Sequence, residues 1–432
     1  MKTACAAPEQ IWLAVSDVHL DMFGRSSRPS PYGLDTNKAL FESAVVQMKR
    51  AAPHPTVVLI AGDFLMHGFA KRAVGGSGPA DEAALESMRW IAATLGRTFP
   101  KAQFAIAIGN NDVPCGDYRS AARSPYLAGV ARVWNALIDR GGASPEFESS
   151  FLRGGYYTAR LPVRGLQLVV LDTVPLSSEY RGNCGGGIDP ASEELTWFRK
   201  VLRETPPGTR NVVLMHIPPG FDAFATEYAR GFIAWPFLQM RYNTGLLNAL
   251  QSFRTRVFYA IAGHAHRFDF RLAGSVPIVI LGALSPVYAN NPVFYALHVE
   301  RDGSLRDIDA YDFDEARQQW LRPHSFDRTW GLQRVDVLSL RRVHAKLAAS
   351  PASRTTWIHQ AAGWSSALSD SLEPWGNGWR VAWCAQNDTS AGFAACAGVK
   401  PRVKMLVTLG FFAVAAAASL IVIFISLPRL RR

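Results

Sequence analysis

Five apolar runs in this chain each stop at a residue able to ligate a metal ion. The run at 11–15 leads to Asp17 and His19, and 57–61 leads to Asp63. Residues 104–108 lead to Asn110, 212–215 to His216, and 257–262 to His264 and His266. Continuous apolar runs of this length read as buried strands. Taken singly, an Asp, Asn or His after a strand is an ordinary turn residue. Taken together, five strands deliver hard and borderline ligands to one edge of a sheet, where ligands of open α/β sheets bind. Mixed Asp/His/Asn ligation suits Mn, Fe or Zn better than Ca or a thiolate-bound metal.

Between these runs the spacing turns helical. Leu40, Ala44, Val45 and Met48 share one helix face, with Asp35 or Thr36 as the expected N-cap. Further helices are expected near 81–95, 125–138, 192–202 and 244–253, and strands at 166–171, 277–281 and 294–299. The order is β-α-β-α early and strand-rich late, which implies a layered α/β core with helices on its faces. From 315 to 348 the Arg-, Gln- and Leu-rich texture reads as helical, with a break at Pro323. Trp357, Trp364, Trp375, Trp379 and Trp383 follow. Such density packs a small helical layer or, as the sharper alternative, meets a membrane interface.

Residues 405–427 contain no charged side chain and are long enough to span a bilayer. Basic residues lie on both sides (Lys400, Arg402 and Lys404 before; Arg429, Arg431 and Arg432 after), so charge leaves the orientation undecided. Ten residues precede the first strand and lack an apolar signal region, although 3–7 has the small-residue character of a cleavage region. The expected layout is a catalytic domain at 1–312, a helical Trp-rich subdomain at 313–400, a transmembrane helix at 405–427 and a basic tail at 428–432.

With 432 residues and 48% hydrophobic content the chain can bury a large core. Its formal charge of +11 suits a phosphorylated or polyanionic substrate, but no block of Lys/Arg and no nucleic-acid-binding module is present. Gly182 to Gly187 lack the Gly-Lys-Ser/Thr of a phosphate loop. There are five cysteines and no Cys-x-x-Cys pair, which argues against a zinc ribbon. Cys384 with Cys396, and Cys115 with Cys184, can form disulfides in an oxidising compartment; buried free thiols are the alternative.

The series Asp17-x-His19, Gly62-Asp63, Gly109-Asn110-x-Asp112, His216 after a strand, and Gly263-His264-x-His266 resembles the calcineurin-like metallophosphoesterases across residues 11–270. The resemblance implies a β-sandwich flanked by helices (αββα) around two divalent ions. Asp17, His19 and His266 would hold one ion, Asn110, His216 and His264 the other, and Asp63 would bridge them. His67, four residues after Asp63, together with His216-Ile-Pro-Pro-Gly and the stretch from Ser285 to Pro292, resembles the acid sphingomyelinase and endopolyphosphatase branch, which is largely extracytoplasmic. The catalytic part is accordingly expected outside the cytoplasm.

In most of that family a His follows the metal-binding Asn, contacts the phosphate and protonates the leaving group. Here Asn111 stands in its place. An amide donates a hydrogen bond but is no general acid near neutral pH. His67 is left as the acid or phosphate contact, or else as a residue orienting a ligand. A phosphate leaving group needs less protonation than an alkoxide, so Asn111 tilts the expected substrate towards phosphoanhydrides such as polyphosphate. Hydrolysis of sphingomyelin-like or nucleotide phosphodiesters is the alternative, and a metal- or partner-binding protein with little catalysis is the third. Asp112 is expected to orient its neighbours from behind.

Overall fold

The computed structural model describes residues 9–74, 80–142, 145–184, 186–364 and 378–402. In chain order the strands are β1 (Gln10–Val15), β2 (Leu20–Asp21), β3 (Thr36–Asn37), β4 (Val57–Ile60), β5 (Gln103–Ile106), β6 (Tyr157–Arg160), β7 (Leu166–Val170), β8 (Arg210–Leu214), β9 (Val257–Ala262), β10 (Asp269–Ala273), β11 (Val276–Ile280), β12 (Val293–Val299), β13 (Leu305–Asp314), β14 (Gln319–Trp320) and β15 (His324–Ser325).

A seven-stranded sheet runs β14-β13-β12-β1-β4-β5, with β15 also on β13; a six-stranded sheet runs β10-β11-β9-β8-β7-β6. One end of the first sheet is parallel, β1, β4 and β5, as is the centre of the second, β7, β8, β9 and β11. Parallel neighbours require crossover connections, and the helices Lys38–Ala51, Ala80–Thr98, Ala191–Glu204 and Met240–Ser252 lie in them.

Side chains alternate across a strand, and the second sheet shows it. Leu168, Val170, Val212 and Leu214 join the core shared with the first sheet. Val169, Leu171, Val213 and Met215 face the other way, onto Leu195, Phe198 and Leu246 of the outer helices. Each of these fully buried aliphatic side chains contributes about 1.5–3 kcal/mol. The result is the expected sandwich of two sheets with helices outside. Parallel strands that run in one direction also end on one edge, and this edge gathers the polar residues.

Two local expectations are corrected. The helix Lys38–Ala51 is capped by Asn37, whose side chain accepts from Leu40 N–H, and not by Asp35 or Thr36. Thr36 belongs to β3, and Asp35 has a distant partner described below. The expected helix at 315–348 begins as sheet: β13, β14 and β15 form an antiparallel extension, and helix appears only at Phe326–Trp330 and Val337–Ala349. Trp320 packs on Phe294 and Phe313 with ring centroids 5.3 Å from each, and this aromatic packing overrides the local helix propensity. β13 therefore crosses residue 312, where the domain boundary was expected.

The helices Pro351–Ala361, Gly378–Asn387 and Phe393–Ala397 complete the C-terminal layer. Trp357 packs against Phe268, Phe270 and Trp330. Trp383 stacks on His344 at 4.3 Å and donates its Nε1–H to the His344 carbonyl. Trp357 thus ties the helical layer to the sheet edge, and Trp383 ties two helices of that layer together. Both disulfides are formed, Cys115–Cys184 and Cys384–Cys396. Residues 405–427, expected to span a membrane, and the tail at 428–432 lie outside the described residues. Among the described residues no helix is long and apolar enough to cross a membrane.

Candidate metal centre

The loops leaving β1, β4, β5, β8 and β9 bring all seven expected ligands to one edge. Asp17, His19, Asp63, His264 and His266 all have left-handed backbone, with φ of 50°, 43°, 55°, 72° and 55°. That conformation costs about 1–2 kcal/mol in ordinary residues and is least unfavourable for Asn, Asp and His. It turns the chain sharply after β1, β4 and β9. Neighbouring glycines allow the close approach: a Cβ on Gly109 would stand 2.1 Å from Asp63 Oδ1, and one on Gly263 would stand 1.8 Å from Ser16 Oγ.

The geometry centres on Asp63. Its Oδ2 lies 3.3 Å from His19 Nε2 and 3.3 Å from His216 Nε2. His19 Nε2 lies 3.1 Å from His266 Nε2, and His266 Nε2 lies 3.3 Å from Asp17 Oδ1. Asn110 Oδ1 lies 3.0 Å from His216 Nε2. The far side of two rings is fixed by carbonyls, which only accept: His19 Nδ1 donates to Leu65 O at 3.0 Å and His216 Nδ1 to Ala61 O at 2.7 Å. Each Nε2 is therefore the nitrogen presented to the centre. Asp112 accepts four backbone N–H groups, from Gly109, Asp63, Phe64 and Leu65. It locks the β4 and β5 loops together, as its expected role required.

Three of the four histidines are held neutral, while at His216 burial opposes the charge but the Asp63 carboxylate outweighs it and raises the imidazole to about 10. Burial, aided by the neighbouring His67, pushes His19 down to about 4, and burial together with His216 pushes His264 down to about 3. His266 is held well below its ordinary value by burial and by the same crowd of imidazoles. Burial opposes the Asp63 carboxylate, but the His216 and His19 charges outweigh it and keep the carboxyl well below its usual range. Asp17 Oδ1 is buried without a hydrogen-bond partner, and His266 Nδ1 likewise. Asp17, His19 and Asp63 form one convergent group and Asp63, His216 and His264 another, with ligand atoms within 4.8 Å of one another. Carboxylate, amide oxygen and imidazole, with no thiolate, are the donor types that fit a pair of divalent ions.

His67 and Asn111 both line the cavity of about 300 Å³ above this centre. His67 is stacked on His19 with centroids 4.0 Å apart, and its ligand atoms also come within reach of His19 and His266. The Asn111 backbone N–H donates to Asp63 Oδ1 at 2.8 Å and its Nδ2 to Asp63 Oδ2 at 3.0 Å.

Two functional residues lay outside the sequence reading. Asp35 accepts the His67 backbone N–H at 2.8 Å through Oδ2, and its Oδ1 lies 2.8 Å from His67 Nδ1. Ser285 Oγ donates to the same Oδ1 at 3.1 Å. Burial opposes a charge on His67, but the Asp35 hydrogen bond and charge outweigh it and raise the imidazole above its ordinary value. Asp117 accepts from Asn110 Nδ2 at 2.8 Å. A carboxylate cannot donate, so the Asn110 oxygen must face His216. Asp117 stands seven positions after Asn110, and only the loop's path brings them together.

The family model for the calcineurin-like phosphoesterases matches residues 13–268. A protein of Dictyostelium discoideum named sphingomyelinase phosphodiesterase D is 27% identical over 312 residues, covering 68% of this chain and 66% of that protein. Among solved structures, a dimetal phosphatase from Danio rerio aligns over 74% of this chain and 98% of its own, at 14% identity and a TM-score of 0.45. A 5'-nucleotidase structure from Staphylococcus aureus aligns over 69% and 52%, at 15% identity and a TM-score of 0.40. The chain spans 66% of the length of the Dictyostelium relative; the family match covers more than half of the sequence and contains every residue of the centre, and the chain thus belongs to the calcineurin-like phosphoesterase family.

Proposed function

We propose that this enzyme hydrolyses phosphodiesters, with His67 as the proton donor to the leaving oxygen. The observation that carries this is the Asp35–His67 pair at the wall of the cavity. Asp35 takes Nδ1 and leaves Nε2 for a substrate. In this position His67 can supply the proton that an alkoxide needs and that Asn111 cannot.

Asp17, His19 and His266 would hold one divalent ion, Asn110, His216 and His264 the second, and Asp63 both, the metals being Zn, Mn or Fe. Such a pair, when bound, supplies positive charge to the phosphate and acidifies water. Asp112, Asp117 and the Leu65 and Ala61 carbonyls keep the ligand atoms pointed at the centre. Asn111 holds both oxygens of Asp63. Tyr118 OH lies 3.4 Å from His264 Nε2 and, with Tyr288, narrows the cavity and limits access of water.

Asn111 favours phosphoanhydrides, polyphosphate among them, as a second substrate class. The cavity wall weighs against it: Asp117, Glu179 and Asp222 line it beside Arg230 and Arg267, and a long polyanion would meet carboxylates. The name of the Dictyostelium relative supports diesters. The test is the metal-replete full chain assayed on a bis-aryl phosphodiester, a lipid phosphodiester and polyphosphate. Diester turnover is expected; turnover of polyphosphate alone would reverse the assignment.

We also infer a single-pass membrane protein, anchored by 405–427, with the catalytic part outside the cytoplasm. The two disulfides support an oxidising compartment. Protease added to intact cells should cleave the catalytic part, and full protection would reject this topology.

A further inference from the structure

The stretch just before residue 403 is built into the rim of the active site. Lys400 pairs with Ile233 as a β-bridge: Ala234 N–H donates to Lys400 O at 2.8 Å, and Lys400 N–H donates to Phe232 O at 2.9 Å. Arg402 lies over the Trp235 ring, 3.4 Å from its centroid, with Arg230 also against that ring at 4.0 Å. Trp235 Nε1–H and Arg230 both donate to Glu179 Oε1, at 3.1 and 3.3 Å. Glu179 and Arg230 line the catalytic cavity. Arg402 is therefore two contacts from the site.

The same rim exposes aromatic side chains. Phe232 is 49% exposed and Phe224, which also lines the cavity, is 48% exposed. Lys400 and Arg402 lie beside them on the surface. Exposed Phe beside Lys and Arg is the composition of a surface that meets anionic lipid headgroups and the acyl boundary. The uncharged segment 405–427 starts three residues beyond Arg402, a reach of about 10 Å.

We propose that this rim, with Phe232, Lys400 and Arg402 at its edge, is a bilayer-contacting surface, so that the mouth of the active site opens against the membrane. An anchor rooted at an arbitrary point would let the catalytic part turn in any direction. An anchor rooted at the mouth fixes the site within a few ångströms of the headgroups. This rests on 405–427 as a membrane span; the labelling test is independent of which phosphate bond is cleaved, and the turnover test rests on the phosphodiester reading.

The test uses the full chain with Cys5→Ser, reconstituted in vesicles of equimolar phosphatidylcholine and phosphatidylserine. A fluorophore is placed at Phe232→Cys or, as a control, at Leu338→Cys, which is 66% exposed. Spin-labelled lipid should quench the label at 232 and leave that at 338 bright. Protein that floats with the vesicles but shows equal quenching at both sites overturns the orientation alone. Protein that does not float overturns the span as well. A label at 232 that becomes shielded with rising protein concentration in the absence of lipid identifies a second copy as the occupant and also overturns the proposal. Phe232→Ser should slow turnover of a vesicle-borne phosphodiester about tenfold, the scale of one Phe withdrawn from lipid. A soluble bis-aryl phosphodiester should be turned over unchanged, and an equal loss on both would count against the rim.

Discussion

Asp35 holds His67 at two points, its Oδ2 on the backbone N–H and its Oδ1 beside Nδ1, each at 2.8 Å. A single carboxylate thus sets both where the loop lies and which ring nitrogen faces the cavity. Asp35→Asn should lower turnover of an alkyl phosphodiester about 10²-fold, within the range of a lost general acid. An aryl diester, whose leaving group needs no proton, should lose much less. Equal losses on the two substrates would show that His67 has no role in proton donation.

His67 also lies within ligand reach of His19 and His266. Metal analysis separates the two roles. His67→Ala should retain two equivalents of metal after dialysis while losing alkyl diester turnover. Loss of one equivalent would make His67 a ligand instead.

Asp117 acts at one remove, on the amide of Asn110. Asp117→Ala frees that amide to flip and present N–H where oxygen is needed. Metal affinity should fall roughly 10–100-fold, as for other residues that orient a ligand, read by titration with a competing chelator. Asp117→Asn should fall less, because its amide oxygen still accepts. Identical affinities for both variants and the parent would exclude the orienting role.

Asn111→His tests leaving-group preference directly. The ratio of alkyl diester to anhydride turnover should rise tenfold or more if an imidazole there reaches the leaving oxygen. An unchanged ratio would mean that the position serves Asp63 alone.

Stability should decline towards alkaline pH. Glu194 is buried, accepts the Asp172 N–H at 2.8 Å through Oε1, and has Oε2 without a partner. Burial, and the neighbouring Asp172, push Glu194 well above its ordinary value, and burial pushes Asp172 up to about 8. Both are raised relative to the unfolded chain. Their contribution is therefore complete at acid pH, below the ordinary carboxylate range, and is lost as pH rises through the folded values. Thermal melts should drop progressively as pH rises from the ordinary carboxylate range towards about 8, where the Asp172 part levels off, by roughly 1 °C for each kcal/mol lost in a chain of this length. Glu194→Gln, which mimics the protonated acid, should flatten that drop; a variant that melts in parallel with the parent at every pH would refute the assignment.

The centre was legible because its information is local. Each ligand follows an apolar run, and parallel strands carry those runs to a common edge without further instruction. Asp35 was not legible, since its position before a helix reads as a cap and its partner lies 32 residues away. The fold uses Asn37 for the cap and releases Asp35. The segment after Asp314 was misread for a related reason: its composition favours helix, while Trp320 finds Phe294 and Phe313 only after the sheet has formed. The bonds from Asn111 to both oxygens of Asp63 were not legible either, since they join loops 48 residues apart.

The left-handed backbone at Asp17, His19, Asp63, His264 and His266 has a consequence for how such a site tolerates change. Only a few residue types accept that backbone readily, and Asp, Asn and His are among them. The same types are the oxygen and nitrogen donors that divalent ions prefer. Replacing one of these five by Ala would remove a donor and impose a conformation that Ala resists. Replacing it by Gly would relieve the backbone and still remove the donor. Comparing the Ala and Gly versions at one position would thus divide the loss into a conformational part and a coordination part, which a single substitution cannot do.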